Sequence, residues 1–170
     1  KRKNGLVYWG SYRQGREEAF KRYFDHTSYP VHLLVHTKIY SKFWEALSYP
    51  VGLRNGKPWY SVEELAEYDA TLYIEDEKQH GEFHSLANRF YEAMSAGLAI
   101  FVDSRAIHAF TQAGMLLQDN WIVRSKDDIE ALLPEARNIA HQQRARWGTN
   151  LGSALGKQVG VAFGARGQEQ

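Results

Sequence analysis

Residues 85–102 read SLANRFYEAMSAGLAIFV and contain two successive hydrophobic patterns. In the first half, leucine, phenylalanine and methionine recur every four positions, which predicts an amphipathic helix over 85–96. Gly97 stands where a helix C-cap needs a positive φ. The uninterrupted apolar run 98–102 then predicts a strand that is buried on both faces, as the strands of parallel sheets are. A helix followed directly by such a strand is typical of α/β proteins.

The rest of the chain repeats this alternation. Short apolar runs predict further strands at 5–10, 31–35, 50–53, 70–74 and 121–123. Periodic segments predict further helices at 16–24, 39–48, 61–68, 106–112 and 126–144. Ser61 and Glu64 have the spacing of a capping box, and Pro134 is expected to kink the last helix. The alternation predicts a single Rossmann-like α/β domain, a doubly wound parallel sheet, over residues 1–145. Residues 146–170 are predicted to form a C-terminal helix and tail that crosses to a missing N-terminal domain.

Composition excludes several classes of protein. The 170 residues suffice for one domain with a full core. A net charge of +1 provides no extended field for nucleic acid or for a membrane surface. The chain has no cysteine, which excludes disulfides and thiolate metal sites and predicts a reducing, cytoplasmic compartment. It also has no apolar run of about 18 residues, so no membrane-spanning helix and no membrane partner are expected.

The carboxyl ends of the strands are where a doubly wound sheet binds its ligand, near the point where the strand order reverses. The tip of the helix 85–96 is expected at that edge, with free N–H groups for an anion. Glu92 lies almost two turns further along, about 10 Å by the helix rise. It shares a helix face with Ser85, Asn88 and Arg89. This offset suits a ligand with phosphates at the helix tip and a diol further along.

Residues 92–100, EAMSAGLAI, resemble a signature of GT-B glycosyltransferases, in their C-terminal, nucleotide-sugar donor-binding domain. That signature is a glutamate, an alanine, a small residue or methionine, Ala-Gly and then a strand. The order of the other elements is similar over residues 5–145. They are a glycine-ended strand with a basic loop, a serine-capped Glu-Glu-Leu helix before a Tyr-Asp-Ala strand, and a closing helix around 127–132. The resemblance implies one half of a glycosyltransferase.

The resemblance also implies roles for individual residues. Glu92 would bind the donor ribose. Ser85 and Leu86 would offer backbone N–H groups to the diphosphate. Arg13 or Arg16, in the loop after the first strand, would neutralise the diphosphate and stabilise the departing nucleoside diphosphate, because negative charge develops there.

The residues that would recognise the base and the sugar follow the pattern of the family less closely. The loop 53–60 would meet the base, with Trp59 or the adjacent tyrosine as stacking partner. Many relatives have a second glutamate eight residues before the ribose-binding one, and His84 occupies that position here. Donor-sugar recognition therefore departs from the common pattern unless Glu82 takes this role. The Asn-Arg-x-x-Glu helix, which contains Arg89, is similar to that of some phage and bacterial relatives that lack the upstream acid.

The partners implied are a UDP- or GDP-linked sugar and an N-terminal acceptor domain, which a missing part of the protein or a second chain would supply. No catalytic base is expected in this half. Enzymes of this family generally manage without a bound metal, so no metal and no other cofactor is expected. A phage DNA-modifying glucosyltransferase, with nucleic acid as acceptor, is one sub-case.

Other function classes fit the sequence less well. A dinucleotide-dependent oxidoreductase needs a close pair of glycines after the first strand, which residues 10–15 lack. A response-regulator-like domain needs clustered acids there, where this chain has arginines. A metal site at 75–77 is disfavoured because three successive loop carboxylates do not converge. Two alternatives stay open: a non-catalytic nucleotide-binding or scaffold domain, and an ion pair of Glu92 with Arg89 or Arg105 in place of a ligand.

Overall fold

The computed structural model describes residues 3–10, 12–35, 37–48, 54–55, 60–75 and 86–148. Their strands are β1 (Lys3–Trp9), β2 (Val31–Val35), β3 (Arg54–Asn55), β4 (Tyr68–Tyr73), β5 (Ala99–Asp103) and β6 (Ile122–Val123). These form one six-stranded sheet in the order β3-β2-β1-β4-β5-β6, and every neighbouring pair is parallel. The predicted Rossmann-like parallel sheet is confirmed.

Helices connect the strands. They are α1 (Glu17–Phe24), α2 (Thr37–Ala46), α3 (Val62–Leu65), α4 (Asn88–Ala96), α5 (Ile107–Gln112), α6 (Lys126–Leu132) and α7, which covers 136–148 of the described residues. Short 3-10 turns precede α1, α5 and β6, at Gln14–Arg16, Ser104–Ala106 and Asp119–Trp121. A further 3-10 turn, Leu133–Glu135, separates α6 from α7 and contains Pro134, so the predicted interruption of this helix is confirmed.

Two predicted helix boundaries are confirmed, the start of α3 and the end of α4. The Ser61 hydroxyl accepts the Glu64 N–H at 3.1 Å, and the Glu64 carboxylate accepts the Ser61 N–H at 2.9 Å. This reciprocal capping box starts α3. Gly97 ends α4 with φ 86°, a left-handed conformation that glycine adopts without a Cβ penalty. The chain can therefore turn directly from α4 into β5.

The strand order reverses between β1 and β4. From β1 the chain moves outward through β2 to β3, and then returns to place β4 on the other side of β1. There Leu6 pairs with Ala70 and Val7 with Thr71. Because crossovers between parallel strands are right-handed, α1 and α4 lie on opposite faces of the sheet. A crevice consequently opens between the carboxyl ends of β1 and β4, the switch point at which such sheets bind ligands.

Aromatic side chains fill the core beside β1. The Tyr8 ring lies 5.3 Å from that of Phe20 and 5.2 Å from that of Phe24, measured between centroids. All three residues are fully buried. Each ring of this size removes roughly 150–250 Å² from water, so α1 is fixed on the sheet mainly by this contact. The end of β1 is therefore a rigid platform.

Trp147 joins the last described helix to the same domain. Its ring centroid lies 5.4 Å from that of Phe90 and 5.0 Å from that of Trp121, and it is fully buried. The predicted division after residue 145 therefore falls inside α7, which belongs to the core as far as it is described. Residues 149–170 lie outside the described residues, and the tail stays a prediction.

The structure bears on two predicted boundaries. The third strand was expected at 50–53, which lies outside the described residues, and β3 is described at Arg54–Asn55, within the predicted loop 53–60. These polar residues form a strand because they pair with Leu34 and Val35 of β2 at the edge of the sheet. The helix expected from residue 85 begins at Asn88, because Ala87 has extended dihedral angles, φ −61° and ψ 151°.

Candidate nucleotide site

β1 ends at the switch point with Trp9 and Gly10. Gly10 has φ 141°, a backbone conformation that residues with a side chain rarely adopt. A Cβ at this position would lie 2.6 Å from Nη1 of Arg89. Glycine therefore allows the arginine of α4 to approach the backbone at the end of β1.

Arg89 is bound to both sides of the crevice. Its Nη1 donates to the Tyr8 hydroxyl and its Nη2 to the Ile74 carbonyl, each at 3.0 Å. The guanidinium also lies over the Tyr8 ring, 4.9 Å from the centroid, in a cation–π contact. Its Nε is buried and has no hydrogen-bond partner among the described residues. None of these contacts supplies a negative charge, so the half-buried guanidinium keeps its charge available to an anion.

Glu92 lies one turn further along α4 and contacts the last residue of β1. Its Oε2 accepts the Trp9 indole N–H at 2.6 Å. Within the described part of the chain this half-buried carboxylate forms no ion pair. Arg105 instead has its Nη1 3.9 Å from Oε2 of Glu18. An ion pair of Glu92 with Arg89 or Arg105, the alternative left open by the sequence, is therefore wrong here.

The separation of Arg89 and Glu92 is the unusual property of this edge. Oppositely charged side chains three residues apart on a helix usually approach each other. Here Tyr8 binds the arginine and its neighbour Trp9 binds the glutamate, so two adjacent residues of β1 hold the charges apart. A cation and an anion therefore stay available side by side, which suits a ligand with both anionic and hydroxyl groups.

The loop after β1 contributes two further arginines. Arg16 is 7% exposed, and its Nε has no hydrogen-bond partner among the residues that the structure describes. Its N–H donates to the Arg13 carbonyl at 2.9 Å, and the Arg13 side chain is half-buried. Both belong to the carboxyl edge of the sheet, as predicted. Their contact with a diphosphate stays a prediction.

Aromatic packing supports this loop. The Tyr12 ring stacks on the Tyr40 ring with 4.0 Å between centroids. The Tyr12 hydroxyl donates to the Glu17 carboxylate, and this hydrogen bond raises the pKa of Tyr12 to about 12. The residue just before Arg13 is thus tied to both α1 and α2.

A buried chain of hydrogen bonds fixes the start of α4. The Tyr73 hydroxyl accepts the Ala87 N–H at 2.9 Å and donates to the Glu75 carboxylate. Burial, and then the nearby Glu75, raise the pKa of Tyr73, so the phenol stays protonated. The Ala87 N–H is thereby occupied. The first-turn N–H groups of Asn88 and Arg89 are the ones that helix geometry leaves without intrahelical partners. An anion at this tip would meet α4 one turn later than the sequence predicts.

Three predicted site residues lie outside the described residues: Trp59, His84 and Ser85. Their roles stay predictions. Leu86 is described and is 3% exposed, so its side chain belongs to the core. A diphosphate contact of the Leu86 backbone also stays a prediction.

Sequence reasoning missed the β1 residues that hold the site. Tyr8 and Trp9 appear in the sequence only as part of an apolar strand. A usable signal was present, because Tyr8 and Trp9 end with polar atoms that need partners when the rings are buried.

The structure also contains a cavity of about 470 Å³ at the opposite edge of the sheet. Its lining includes Asn4, Tyr29 and Asp69, near the amino ends of β1, β2 and β4, together with Glu130 and Arg137. Parallel sheets bind ligands at the carboxyl ends of their strands. We therefore assign the candidate site to the switch point and not to this cavity.

No group of three or more His, Cys, Asp or Glu side chains that could hold a metal occurs among the described residues. The predicted alternative of a metal site at 75–77 can be followed only at Glu75, which accepts the Tyr73 hydroxyl. No helix in the described part of the chain is long and apolar enough to cross a membrane.

The strand order and its switch point define a Rossmann-like α/β domain. No family model and no curated protein matches the chain in sequence. In solved structures the same fold occurs in T4 phage beta-glucosyltransferase. A mutant of that enzyme with UDP-glucose has a TM-score of 0.61 at 18% identity, over 92% of this chain and 48% of the enzyme. The enzyme with UDP and Mn²⁺ has a TM-score of 0.60 at 18% identity, with the same coverage.

A third structure is the DNA-modifying enzyme beta-glucosyltransferase in the presence and absence of uridine diphosphoglucose. Its TM-score is 0.59 at 18% identity, over 92% of this chain and 52% of the enzyme. The chain therefore spans about half the length of these proteins. The predicted resemblance to a GT-B donor domain is confirmed as a likeness of fold.

One prediction is overturned by these neighbours. The T4 phage enzyme binds Mn²⁺ together with UDP in one of its structures. The expectation that a donor site of this kind needs no metal is therefore wrong. The physical reason is the charge of the diphosphate, which a divalent cation can neutralise together with arginines.

Proposed function

We propose that this chain is the donor-binding half of a glycosyltransferase and binds a UDP-linked sugar at the switch point between β1 and β4. The observation that carries the proposal is the separation of Arg89 and Glu92 by Tyr8 and Trp9. Side chains that serve only stability would gain by pairing, whereas this arrangement leaves both charges available to a ligand. Fold neighbours that bind UDP-glucose favour a uridine nucleotide over a guanosine nucleotide.

The diphosphate would lie against the arginines. Arg89 is fixed on two sides and retains an unpartnered Nε, and Arg16 has an Nε in the same state. Leaving a buried charged donor unsatisfied is costly unless a ligand provides the acceptor. Arg13 lies three residues before Arg16 on the loop that follows β1, and its carbonyl accepts the Arg16 N–H. Phosphate oxygens would satisfy these donors and stabilise the leaving group as charge develops on it.

The ribose would lie further along α4. Glu92 uses Oε2 for the Trp9 indole, and its Oε1 has no partner among the described residues. An ionised carboxylate accepts hydrogen bonds at both oxygens, so the 2′- and 3′-hydroxyls of a ribose are suitable donors. The predicted order of phosphates at the helix tip and diol beyond it is kept in this proposal.

We extend the proposal to a divalent cation that accompanies the diphosphate. The described residues offer no cluster of three ligands, and the carboxylates of Glu75 and Glu92 beside the crevice each already accept a hydrogen bond. Such a site fits a cation that is coordinated mainly by phosphate oxygens and water. When bound, the cation would supply charge neutralisation of the diphosphate.

The acceptor half of the enzyme would be provided outside these 170 residues. The fold neighbours are about twice as long as this chain, which covers 48% of one of them. Transfer to DNA, as in the DNA-modifying neighbour, is the sub-case we favour for the acceptor. The absence of cysteine from the sequence supports a reducing, cytoplasmic location.

Nucleotide titration of the 170-residue chain tests the proposal. Isothermal titration with UDP and GDP is performed on the wild type, on Glu92→Ala and on the control Glu130→Ala, an exposed glutamate beside the opposite cavity. We expect UDP to bind, and Glu92→Ala to weaken it by about 10- to 100-fold because hydrogen bonds to a charged group are lost. The control should match the wild type. Mn²⁺ should tighten UDP binding relative to EDTA.

Binding of neither nucleotide by the wild type at millimolar concentration would contradict the proposal. UDP binding of equal strength in wild type and Glu92→Ala would contradict the assigned ribose contact. UDP binding without glycosyl transfer, once an acceptor half is supplied, would favour the non-catalytic nucleotide-binding alternative.

A further inference from the structure

We infer that Trp9 is a positioning residue that orients the Glu92 carboxylate toward the hydroxyls of the bound ribose. The inference rests on the proposed function and adds to it a determinant on the opposite wall of the crevice. Trp9 itself need not touch the nucleotide. It acts through the one hydrogen bond that Glu92 forms within the described residues.

The position of the Trp9 indole does not depend on Glu92. Trp9 is the last residue of β1 and is 4% exposed, so its ring is held by the core and not by its contact with Glu92. Glu92 is half-buried on a helix surface, where its side-chain torsions are otherwise free. Of the two partners, the tryptophan therefore determines where the carboxylate lies.

The hydrogen bond has the chemistry needed for this role. A neutral indole N–H can only donate, and the carboxylate can only accept, so the orientation is unambiguous. The distance of 2.6 Å is short for an N–H donor, in the direction expected for a charged acceptor. Because Oε2 accepts the indole N–H, Oε1 is the oxygen left without a partner among the described residues. A glutamate already ordered before binding loses less conformational entropy when the ligand arrives.

A second observation concerns Arg89, the other charged side chain on this face of α4. Arg89 is three residues away on the same helix and has an Nε without a partner among the described residues. Without the indole, no contact in the described structure holds Glu92 in place. Trp9 thus preserves the hydroxyl-binding function of Glu92 independently of the diphosphate contacts of the arginines.

The test is a double-mutant cycle of Trp9→Phe and Glu92→Ala in the 170-residue chain. Phenylalanine keeps an aromatic ring in the core but has no N–H. The dissociation constant is measured for UDP and for 2′,3′-dideoxy-UDP, which lacks both hydroxyls. We expect Trp9→Phe to weaken UDP by about 3- to 10-fold, the cost of ordering one side chain on binding. Dideoxy-UDP should change less than about 2-fold, since its phosphates are bound by the arginines.

In the Glu92→Ala background, Trp9→Phe should have no further effect on UDP. A merely structural role for Trp9 would weaken both nucleotides equally and would persist in that background, and either result overturns the inference. So does an unchanged UDP affinity in a folded Trp9→Phe variant. Absence of UDP binding by the wild type, or its insensitivity to Glu92→Ala, overturns the proposed function itself and is therefore distinguishable.

A spectroscopic measurement avoids any dependence on the folding of Trp9→Phe. The chain has five tryptophans, whose indole N–H groups give separate signals in a ¹⁵N–¹H spectrum. Comparison of wild type with Glu92→Ala should move one indole N–H signal upfield, because its charged acceptor is removed. Equal indole spectra in both proteins would overturn the inference.

Discussion

Two carboxylates at the same edge of the sheet illustrate how similar groups acquire different roles. Asp103 ends β5, is 2% exposed, and its Oδ1 accepts the Tyr23 hydroxyl at 2.6 Å. That hydroxyl also lies 3.1 Å from the Val123 carbonyl, so the group is surrounded by core. Glu92 is half-buried and has one partner, with its other oxygen uncommitted among the described residues. Through the Tyr23 hydroxyl, the first carboxylate helps to hold α1 against β5 and β6, whereas the second is the proposed ribose ligand.

This comparison separates stability from binding. Removing a partner of Asp103 should affect folding and leave nucleotide binding unchanged. Removing Glu92 or the neighbouring Arg89 itself should mainly weaken nucleotide binding. The three predictions below test that separation.

The largest effect is expected for Arg89→Met. Methionine keeps much of the length of the side chain but removes the charge and all of the N–H donors that Arg89 itself would offer to the diphosphate. UDP affinity should fall by about 100-fold, equivalent to the loss of one or two charge-assisted hydrogen bonds. Isothermal titration measures this, with Arg137→Met, exposed at the opposite edge, as the control. A 100-fold loss in the control as well would show that net charge and not position matters.

A smaller effect, on folding alone, is expected for Tyr23→Phe. The variant leaves the buried Asp103 carboxylate without its hydroxyl donor. The free energy of unfolding should decrease by about 2 kcal/mol, the contribution of a hydrogen bond to a charged group. Urea denaturation measures the change. Tyr91→Phe, a half-buried tyrosine on α4, should change stability by less than about 0.5 kcal/mol.

UDP affinity decides whether the comparison holds. Tyr23→Phe, assayed where it is fully folded, should bind UDP like the wild type. A loss of affinity in this variant would mean that the Asp103 region and the nucleotide site are coupled.

The smallest effect concerns alkaline pH. Burial, followed by the hydrogen bond to Asp103, raises the pKa of Tyr23 above its usual value near 10. A tyrosine whose pKa is raised in the folded state contributes its full stability below pH about 10, and loses it as the pH rises toward the folded pKa. Stability should therefore be flat up to about pH 10 and decline above it. Urea denaturation between pH 8 and pH 11 measures this, and a smaller decline is expected for Tyr23→Phe.

The sequence predicted the fold well because its strands are short, continuous apolar runs and its helices are periodic. Ser61, Gly97 and Pro134 marked boundaries correctly, since each acts through its local backbone. The predicted start of α4 was wrong because the actual start is determined by a tertiary hydrogen bond between Tyr73 and Ala87. A contact between two residues fourteen positions apart leaves no local signal in the sequence.

The candidate site was predictable only in part. The spacing of Arg89 and Glu92 placed both on one face of α4, which the structure bears out. Their partners could not be inferred, because Tyr8 and Trp9 are separated from them by 81 and 83 residues. The pairing depends on β1 lying next to β4, a property of the strand order that no local pattern encodes. The expectation of a site without metal, which the Mn²⁺-bound neighbour overturns, failed because a cation carried by a diphosphate needs no ligand cluster in the sequence.

The hydroxyl of Tyr73 has a consequence for how this domain can evolve. It contacts Glu75 on one side and Ala87 on the other, so it joins the two residues that bracket positions 76–86. Their spacing is set by the core and not by the intervening sequence. Lengthening a connection between fixed ends costs only about 0.6 kcal/mol per doubling of its length. A change in the length of this connection should therefore cost the domain little stability.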